Sequence, residues 1–311
     1  MEIPFDLLYI VASFYTKPRM KLLDWIPIKK LNSHCLSKNP QALYLLEKYP
    51  DKIDWDELSS NPNALHLLEK YPEKINWTCL SGNPKALYLL EKYPEKINWY
   101  RLSENPNALH LLEKYPNKIN WYYLSMNPNS IPLLEKYPDK INWHYLSQNP
   151  NLLNAIHLLE KYFDEIDWDS LSMNPNAIHL LEKHPDKINW EWLSINPNAI
   201  YLLEKNLDKI DWDNLSSNPN AIHILEKYPE KINWQYLLEN PDSSYAIPLL
   251  EKYPEKINWH CLSCNPNAIH ILEKHPNKID WVNLSRNPSI FEIDTKQMKI
   301  ELTKRAKNID F

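Results

Sequence analysis

Apolar and polar positions along this chain follow a unit that repeats every 22 residues. Tryptophan marks the unit: it recurs at 22-residue steps from Trp55 to Trp281, with two steps of 25. One unit, beginning at Trp55, reads WDELSSNPNALHLLEKYPEKIN. Repetition at this period is typical of solenoid proteins, in which each unit buries its apolar side against its neighbours.

Each unit is predicted to contain two short helices. The first begins at the Asn or Asp before each tryptophan, a favourable N-cap, and places Trp55 and Leu58 on one face. The second is predicted to begin at Asn61, with Pro62 at its first position, and to end at Pro72. Neither helix is long enough to be stable alone, so its apolar stripe must be buried against adjacent units.

These units predict an all-α architecture, an α-solenoid of about twelve two-helix repeats with N- and C-terminal capping helices. Twelve Asn-Pro junctions lie between Asn39 and Asn287, and packed helices lie about 8–10 Å apart, so we expect a rod or superhelix on the order of 100 Å long. Residues 1–30 would form an N-terminal cap, 31–294 the repeats, and 295–311 a Lys-rich C-terminal capping helix.

The two longer steps are three-residue insertions at one place in the unit, after Asn149-Pro150 and Asn240-Pro241, which indicates a junction that tolerates them. The alternative architecture is a leucine-rich-repeat-like solenoid with a strand in the Trp-x-x-Leu-Ser segment. The proline seven residues after each repeat tryptophan, the paired leucines and the scarcity of valine disfavour that strand.

Composition narrows the function classes. Gly82 is the single glycine, against 26 prolines, so phosphate-binding loops, dinucleotide fingerprints and nucleophile elbows are excluded. We therefore expect no enzyme and no cofactor. The net charge of -5 makes a nucleic-acid partner an unfavourable prediction, and four cysteines indicate a reducing compartment. The longest apolar stretch, residues 7–15, is too short to span a bilayer, so no membrane partner is expected.

The unit LSMNPNAIHLLEKHPDKINW, residues 171–190, closely resembles tandem repeats in uncharacterised proteins of giant DNA viruses of amoebae. The resemblance covers roughly residues 31–294. It implies a viral protein that acts in the host cytoplasm, and it implies no activity.

The N-terminal segment IPFDLLYIVASFY, residues 3–15, is similar to the first helix of an F-box, a motif that recruits a ubiquitin ligase through a Skp1-type adaptor. The recruiting residues would then be Ile3, Pro4, Leu7, Leu8 and Val11. The segment is shorter than a full box. The other interpretation is an amphipathic helix whose apolar face covers the first repeat.

Two side-chain patterns suggest metal binding. Histidine recurs at one position of the second helix, at His66, His110, His157, His179, His223 and His270. Histidines of successive repeats would lie about 10 Å apart and cannot share one ion, so a half-exposed polar ladder is the better interpretation. Cys261 and Cys264 form a Cys-x-x-Cys pair beside His260, but no second cysteine pair exists to complete a zinc site, so chance occurrence at variable positions is the better interpretation.

The positions that vary between units lie one, two and five residues after each repeat tryptophan, here called positions +1, +2 and +5. Aromatic residues, Met and Arg are concentrated there, as they are at protein interfaces. The predicted partner-binding residues are Tyr100, Arg101, Tyr122, Tyr123, Met126, His144, Tyr145, Trp192 and Tyr236. Drift at unconstrained surface sites is the alternative explanation of this variation.

Three functions follow from this pattern. The first is a non-enzymatic scaffold that binds a protein or peptide. The second is the same scaffold acting as the substrate-binding arm of a ubiquitin-ligase adaptor. The third is a single-stranded RNA-binding repeat protein whose tyrosines stack on bases, which the acidic net charge disfavours.

Overall fold

The computed structural model describes residues 19–239 and 246–300, and it confirms the all-α solenoid. The first helices of repeats 1 to 12 span Ser33–Lys38, Trp55–Ser60, Trp77–Ser81, Trp99–Glu104, Trp121–Met126, Trp143–Ser147, Trp168–Met173, Trp190–Ile195, Trp212–Ser216, Trp234–Glu239, Trp259–Cys264 and Trp281–Leu284. The second helices of repeats 1 to 11 span Leu43–Lys48, Leu65–Lys70, Leu87–Lys92, Leu109–Lys114, Ile131–Lys136, Ile156–Lys161, Ile178–Lys183, Ile200–Glu204, Ile222–Lys227, Ile247–Lys252 and Ile269–Lys274.

Short 3-10 helices connect these elements. Those that link one repeat to the next span Ile28–Lys30, Pro50–Lys52, Pro72–Lys74, Pro94–Lys96, Pro116–Lys118, Pro138–Lys140, Phe163–Glu165, Pro185–Lys187, Leu207–Lys209, Pro229–Lys231 and Pro254–Lys256. Those that lie at Asn-Pro junctions span Leu152–Ala155, Pro175–Ala177, Pro266–Ala268 and Pro288–Ile290. The first insertion is absorbed in the 3-10 helix Leu152–Ala155.

The second helix begins later than the sequence predicts. In repeat 2 it starts at Leu65 rather than at Asn61, and Ala64 occupies its N-cap position without a side-chain cap. The Asn61 side chain instead accepts a hydrogen bond from the backbone N–H of Asn63, which makes the Asn-Pro segment a turn. The predicted N-cap of the first helix is confirmed: Asp54 accepts from the backbone N–H of Glu57.

Leucine forms the core of each repeat, and the repeat tryptophan covers its edge. Leu58 and Leu68 are fully buried in repeat 2, and their equivalents are buried around the solenoid. The Trp55 ring meets the Tyr71 ring edge-on, with the centroids 5.4 Å apart. The same aromatic contact recurs in repeats 3 and 4, where it holds the two helices of each repeat together in the same way.

The buried asparagine of each Asn-Pro pair joins neighbouring repeats. Asn127 donates through Nδ2 to the carbonyls of Ser103 and Asn105 in the preceding repeat, at 3.0 and 2.9 Å, and its Oδ1 accepts from the backbone N–H of Asn129. A serine at position +4, such as Ser103, donates to its own Trp99 carbonyl and accepts from the next N-cap backbone N–H. We call the recurring asparagine contacts the asparagine ladder.

The asparagine ladder passes from the last repeat to the first, so the solenoid is a closed ring. Asn39 of repeat 1 donates to the carbonyls of Ser285 and Asn287 in repeat 12, at 3.4 and 3.1 Å. Asn61 makes the same two bonds with residues of repeat 1. The open rod or superhelix predicted from the sequence is therefore wrong: the rotation between repeats accumulates to a full turn, and the two ends meet.

Repeat 12 is assembled from both ends of the chain. Its first helix begins at Trp281, near the C-terminus. Its 3-10 link is Ile28–Lys30, which belongs to the predicted N-terminal cap. Lys30 Nζ lies 4.4 Å from the centroid of the Trp281 ring, as Lys209 Nζ does over Trp190 within repeat 8. The N-terminal segment therefore fills the place that a link takes in the other repeats.

Two short strands replace the second helix of repeat 12. Strand β1 spans Met20–Leu22 and strand β2 spans Phe291–Ile293, and they pair antiparallel, with Lys21 opposite Glu292. The Lys21 ammonium and the Glu292 carboxylate lie 2.8 Å apart. Residues 295–300, the start of the predicted C-terminal capping helix, are helical.

The first helices form the inner layer of the ring. Neighbouring first helices are in close backbone contact, whereas neighbouring second helices are joined mainly by long side chains. The more closely spaced layer of a ring must be the inner one, because its circumference is shorter. Twelve helices about 8–10 Å apart, each 10–12 Å wide with its side chains, leave a central opening on the order of 20 Å across.

Candidate interaction surface

The variable positions form the free face of the first helices. Position +1 is exposed in every repeat, and position +2 is half-buried or exposed in most. Because the opposite face of each first helix packs into the core, this variable face lies on the inner side of the ring. Side chains at +1 contact the following repeat, either at its position +2, as His144 contacts Ser170, or at its N-cap, as Asp169 contacts Asn189.

Tyrosines at these positions form a continuous run of aromatic rings. The rings of Tyr100 and Tyr123 lie 4.1 Å apart between centroids, as do those of Tyr122 and Tyr145, and the hydroxyls of each pair share a hydrogen bond. Tyr122 contacts Tyr123 at 4.8 Å, and Tyr145 contacts His144 at 5.0 Å. These five residues are the tyrosine ladder. Five of the nine predicted partner-binding residues are thus brought into one surface.

Two hydroxyls in the tyrosine ladder, those of Tyr123 and Tyr145, resist ionisation. The hydrogen bond with Tyr100, with a smaller contribution from desolvation, raises the pKa of Tyr123 to about 12. The hydrogen bond with Tyr122 likewise raises the pKa of Tyr145. Tyr123 and Tyr145 are therefore uncharged at neutral pH, and the ladder presents ring faces and hydroxyls that can donate or accept hydrogen bonds.

The other predicted residues lie apart from the tyrosine ladder or have local partners. Arg101 Nη1 pairs with Glu104 Oε2 at 2.6 Å, and its guanidinium lies beside Gly82, where an added Cβ would be 3.4 Å from Nη2. Met126 is half-buried, and Tyr236 is exposed four repeats beyond Tyr145. The predicted adaptor-recruiting residues, Ile3, Pro4, Leu7, Leu8 and Val11, lie outside the described residues.

A cleft of about 300 Å³ opens at the end of the tyrosine ladder. It is lined by His144, Gln148, Asp167, Asp169, Ser170, Met173 and Trp192. Trp192 was predicted from the sequence to bind a partner, but the two aspartates and Ser170 were not. The signal that could have found them is Ser170 itself, a small residue at position +2, where repeats 5, 6, 8 and 10 carry Tyr or Trp.

The serine, histidine and aspartate in this cleft are not arranged for nucleophilic catalysis. His144 Nδ1 lies 2.7 Å from Asp167 Oδ2 and 3.0 Å from Ser170 Oγ, so both groups approach the same ring nitrogen. A hydrolytic triad needs the carboxylate on one ring nitrogen and the serine on the other. Here His144 Nε2 faces the Gln148 amide nitrogen at 3.1 Å instead.

The histidines of the second helices pair with acids across repeats. His66 Nε2 lies 2.8 Å from Glu47 Oε1, and His110 Nε2 lies 2.7 Å from Glu91 Oε1. Tyr88 takes the same place and donates to Glu69 at 2.6 Å. The predicted half-exposed polar ladder is confirmed on the outer layer. Within residues 19–239 and 246–300, no group of three or more His, Cys, Asp or Glu side chains is placed to hold a metal ion.

The cysteines play separate structural parts. Cys261 is buried, and Cys264 Sγ donates to the Cys261 carbonyl within the same helix. Burial raises the pKa of the Cys264 thiol. At the ring closure, Arg286 Nε donates to the sulfur of buried Cys35 at 3.1 Å, a further contact between repeats 12 and 1.

We predict that the ring loses stability in acid through two capping aspartates. Burial acts to raise the pKa of Asp167, but hydrogen bonds from the Ser170 backbone and from His144 outweigh it and lower that pKa; Asp280 is lowered in the same way beside His260. A carboxyl whose pKa is lowered by folding stabilises the fold above its unfolded pKa, about 3.9, and this contribution disappears as the pH falls through the folded value. The melting temperature measured by circular dichroism should fall below about pH 4, and it should fall less in the Asp167→Asn, Asp280→Asn variant than in the wild-type ring. An equal drop in both proteins would contradict the assignment.

Comparison with known proteins adds no relative: no family model, curated protein or solved structure matches the chain. In the part of the chain that the structure describes, no helix is both long and apolar enough to cross a membrane.

Proposed function

We propose that the ring is a non-enzymatic scaffold whose tyrosine ladder binds a segment of a partner protein. The tyrosine ladder carries this proposal, because Tyr100 and Tyr122 keep more than two fifths of their surface exposed although both are large aromatic residues. Tyrosines held by their neighbours lose little conformational freedom on binding, and such residues dominate the energy of protein interfaces. On the resemblance to giant-virus repeats, we place this activity in the host cytoplasm.

The ladder is set on a rigid framework, which favours recognition over catalysis. The first helices that carry the tyrosines are joined to each other by the asparagine ladder and the buried serines. A partner that contacts several rings therefore meets a preorganised surface and does not have to order it. Chemistry would require in addition a nucleophile or an acid–base pair in working geometry, and the histidine in the adjacent cleft has no such arrangement.

Substituting Tyr122 and Tyr145 with alanine is expected to weaken partner capture by at least about tenfold. Each ring is exposed or half-buried, so the fold should survive, whereas aromatic anchors at the centre of an interface often contribute about 2 kcal/mol or more. The measurement is affinity capture from cells with the wild-type and variant rings, followed by quantitative mass spectrometry. Proteins lost specifically from the variant are the candidate partners.

Tyr236→Ala is the matched control for this experiment. Tyr236 occupies position +2, as Tyr145 does, and is 42% exposed, but it lies four repeats from the tyrosine ladder. Equal capture by all three rings would reject the tyrosine ladder as the binding surface. Nuclease-sensitive capture of RNA that depends on Tyr122 would favour the RNA-binding alternative, in which the rings stack on bases.

The ubiquitin-ligase adaptor remains a more specific form of this proposal. It adds a recruiting role for residues 3–15 to the same binding surface and rests on the F-box similarity of that segment. Co-purification of a Skp1-type protein with the full chain, but not with an Ile3→Asp, Leu7→Asp, Leu8→Asp variant, would support it. Equal co-purification with both, or with neither, would reject it.

A further inference from the structure

The geometry points to a binding site for a basic side chain, lysine or arginine, in the cleft between repeats 6 and 8. This inference rests on the proposed function, since the basic residue would belong to the partner segment that crosses the tyrosine ladder. His144 connects the two features: its ring contacts Tyr145 at 5.0 Å and also lines the cleft. A segment that contacts the last ladder tyrosine is thereby led to the cleft.

The cleft exists because repeat 7 carries small residues where its neighbours carry rings. Ser170 stands at position +2, between Tyr145 of repeat 6 and Trp192 of repeat 8, and it is 95% buried beneath His144. A tyrosine at this position would contact the His144 ring, as the Tyr123 ring contacts that of Tyr100. With serine, the space between His144 and Trp192 stays open, and its volume of about 300 Å³ is at the lower limit for ligand pockets, suited to one long side chain.

The charges around the cleft select a cation. Asp167 and Asp169 line it, and among the described lining residues there is no lysine or arginine. The first helices of repeats 6, 7 and 8 likewise contain no lysine or arginine, and Glu191 adds a further acid beside Trp192. An anionic ligand would be repelled here, and an apolar one would gain no ion pair with the carboxylates.

The aspartate at the rim and the tryptophan in the wall recognise different parts of one basic side chain. Asp169 is exposed, and its Oδ1 accepts from Asn189 Nδ2 at 2.8 Å, which orients the carboxylate. Trp192 is 38% exposed and offers the aromatic ring type that binds cations best. A guanidinium or ammonium group between them gains an ion pair and a cation–π contact, and its aliphatic stem covers Met173.

The separation between the tyrosine ladder and the cleft sets the spacing in the partner. Asp169 and Trp192 stand one and two repeats beyond Tyr145, so a basic group bound between them lies roughly 10–15 Å from that tyrosine, and an extended chain advances about 3.3 Å per residue. The basic residue should therefore lie about three to five residues from the residue that anchors on the ladder.

Selection of peptides from a random displayed library on the wild-type ring tests this inference. We expect selected peptides to share a lysine or arginine at a fixed distance from an anchor residue. Binding of a synthetic selected peptide should weaken about tenfold on the Asp169→Asn ring, and equally when its basic residue is replaced by alanine. Asp213→Asn is the control, because Asp213 also occupies position +1 and accepts from Asn233 at 2.9 Å, but it lies outside the cleft.

The outcomes separate the two proposals. Peptides that need Tyr122 and Tyr145 but carry no basic residue, or that bind the Asp169→Asn ring unchanged, overturn the basic-residue site and leave the proposed function standing. If no selected peptide depends on the tyrosine ladder, the proposed function fails.

A second measurement tests the cleft without any peptide. Acetyl-arginine amide is titrated into a ring labelled with 5-fluorotryptophan, and the fluorine signal of Trp192 is assigned with the Trp192→Phe variant. We expect that signal to shift with the arginine probe, not with acetyl-citrulline amide, and only weakly in the Asp169→Asn ring. No shift, or equal shifts with both probes, overturns the site.

Discussion

Replacing Asn127 with alanine is expected to lower the free energy of unfolding by about 3 kcal/mol. The substitution removes two donated bonds, to the carbonyls of Ser103 and Asn105, and the bond that Oδ1 accepts from Asn129. The two donated bonds are buried and the third is partly buried, and a buried polar group left without a partner costs about 1–3 kcal/mol. Chemical denaturation of the variant and wild-type rings, followed by circular dichroism, measures the difference.

The control for this prediction is Asn129→Ala, two residues away. Asn129 Nδ2 also donates to a carbonyl of the preceding repeat, that of Pro106 at 2.8 Å, but this bond is exposed, so its loss should cost less than about 1 kcal/mol. The isosteric Asn127→Asp variant keeps the shape and replaces the donor with an acceptor facing two carbonyls. If Asn127→Ala costs no more than Asn129→Ala, the asparagine ladder is not what couples the repeats.

Closing the ring covalently is expected to give the largest gain in stability. In a Lys21→Cys, Glu292→Cys variant, the two cysteines face each other across β1 and β2. Directly opposed residues of antiparallel strands lie about 4.5–5.5 Å apart, within disulfide range. Mild oxidation should join them within one molecule, and the loop of about 270 residues should stabilise the ring by on the order of 5 kcal/mol. Peptide mapping identifies the bond, and denaturation with and without reductant measures its effect.

The matched control pairs Lys21→Cys with Glu255→Cys. Glu255 is an exposed glutamate in the link of repeat 10, away from the strand pair. It should form no intramolecular bond with residue 21. An open rod would keep residues 21 and 292 apart at opposite ends, so failure of the first pair to cross-link would contradict the closed ring.

Much of the repeat could be predicted from the sequence, because its signals are local. The Asn or Asp before each tryptophan caps a helix, the leucines at helical spacing are buried, and the histidines of the second helix form a half-exposed ladder, as Asp54, Leu68 and His66 show. The start of the second helix was predicted too early. Asn61 is a good N-cap by type, but its side chain bonds the preceding repeat instead of capping the helix.

The candidate surface was predicted in part. Variation between copies identified the tyrosines and Trp192, because residues that do not hold repeats together are free to differ. It did not identify Asp167, Asp169 or Ser170 as the lining of a cleft, since a cleft is formed by what adjacent repeats fail to fill. The unfilled space above Ser170 can be recognised only when the structure places Tyr145 and Trp192 on either side of it.

By itself, the sequence determined the unit, its two helices, the buried leucines and the acidic, glycine-poor character that excludes whole classes of site. Only the tertiary structure decided that the solenoid closes. A ring of twelve repeats requires a mean rotation of about 30° at each junction, which follows from the difference in spacing between inner and outer helices rather than from any local pattern. The two segments that complete the closure, β1 and β2, are three residues each, too short to show a strand period, and they lie at opposite ends of the chain.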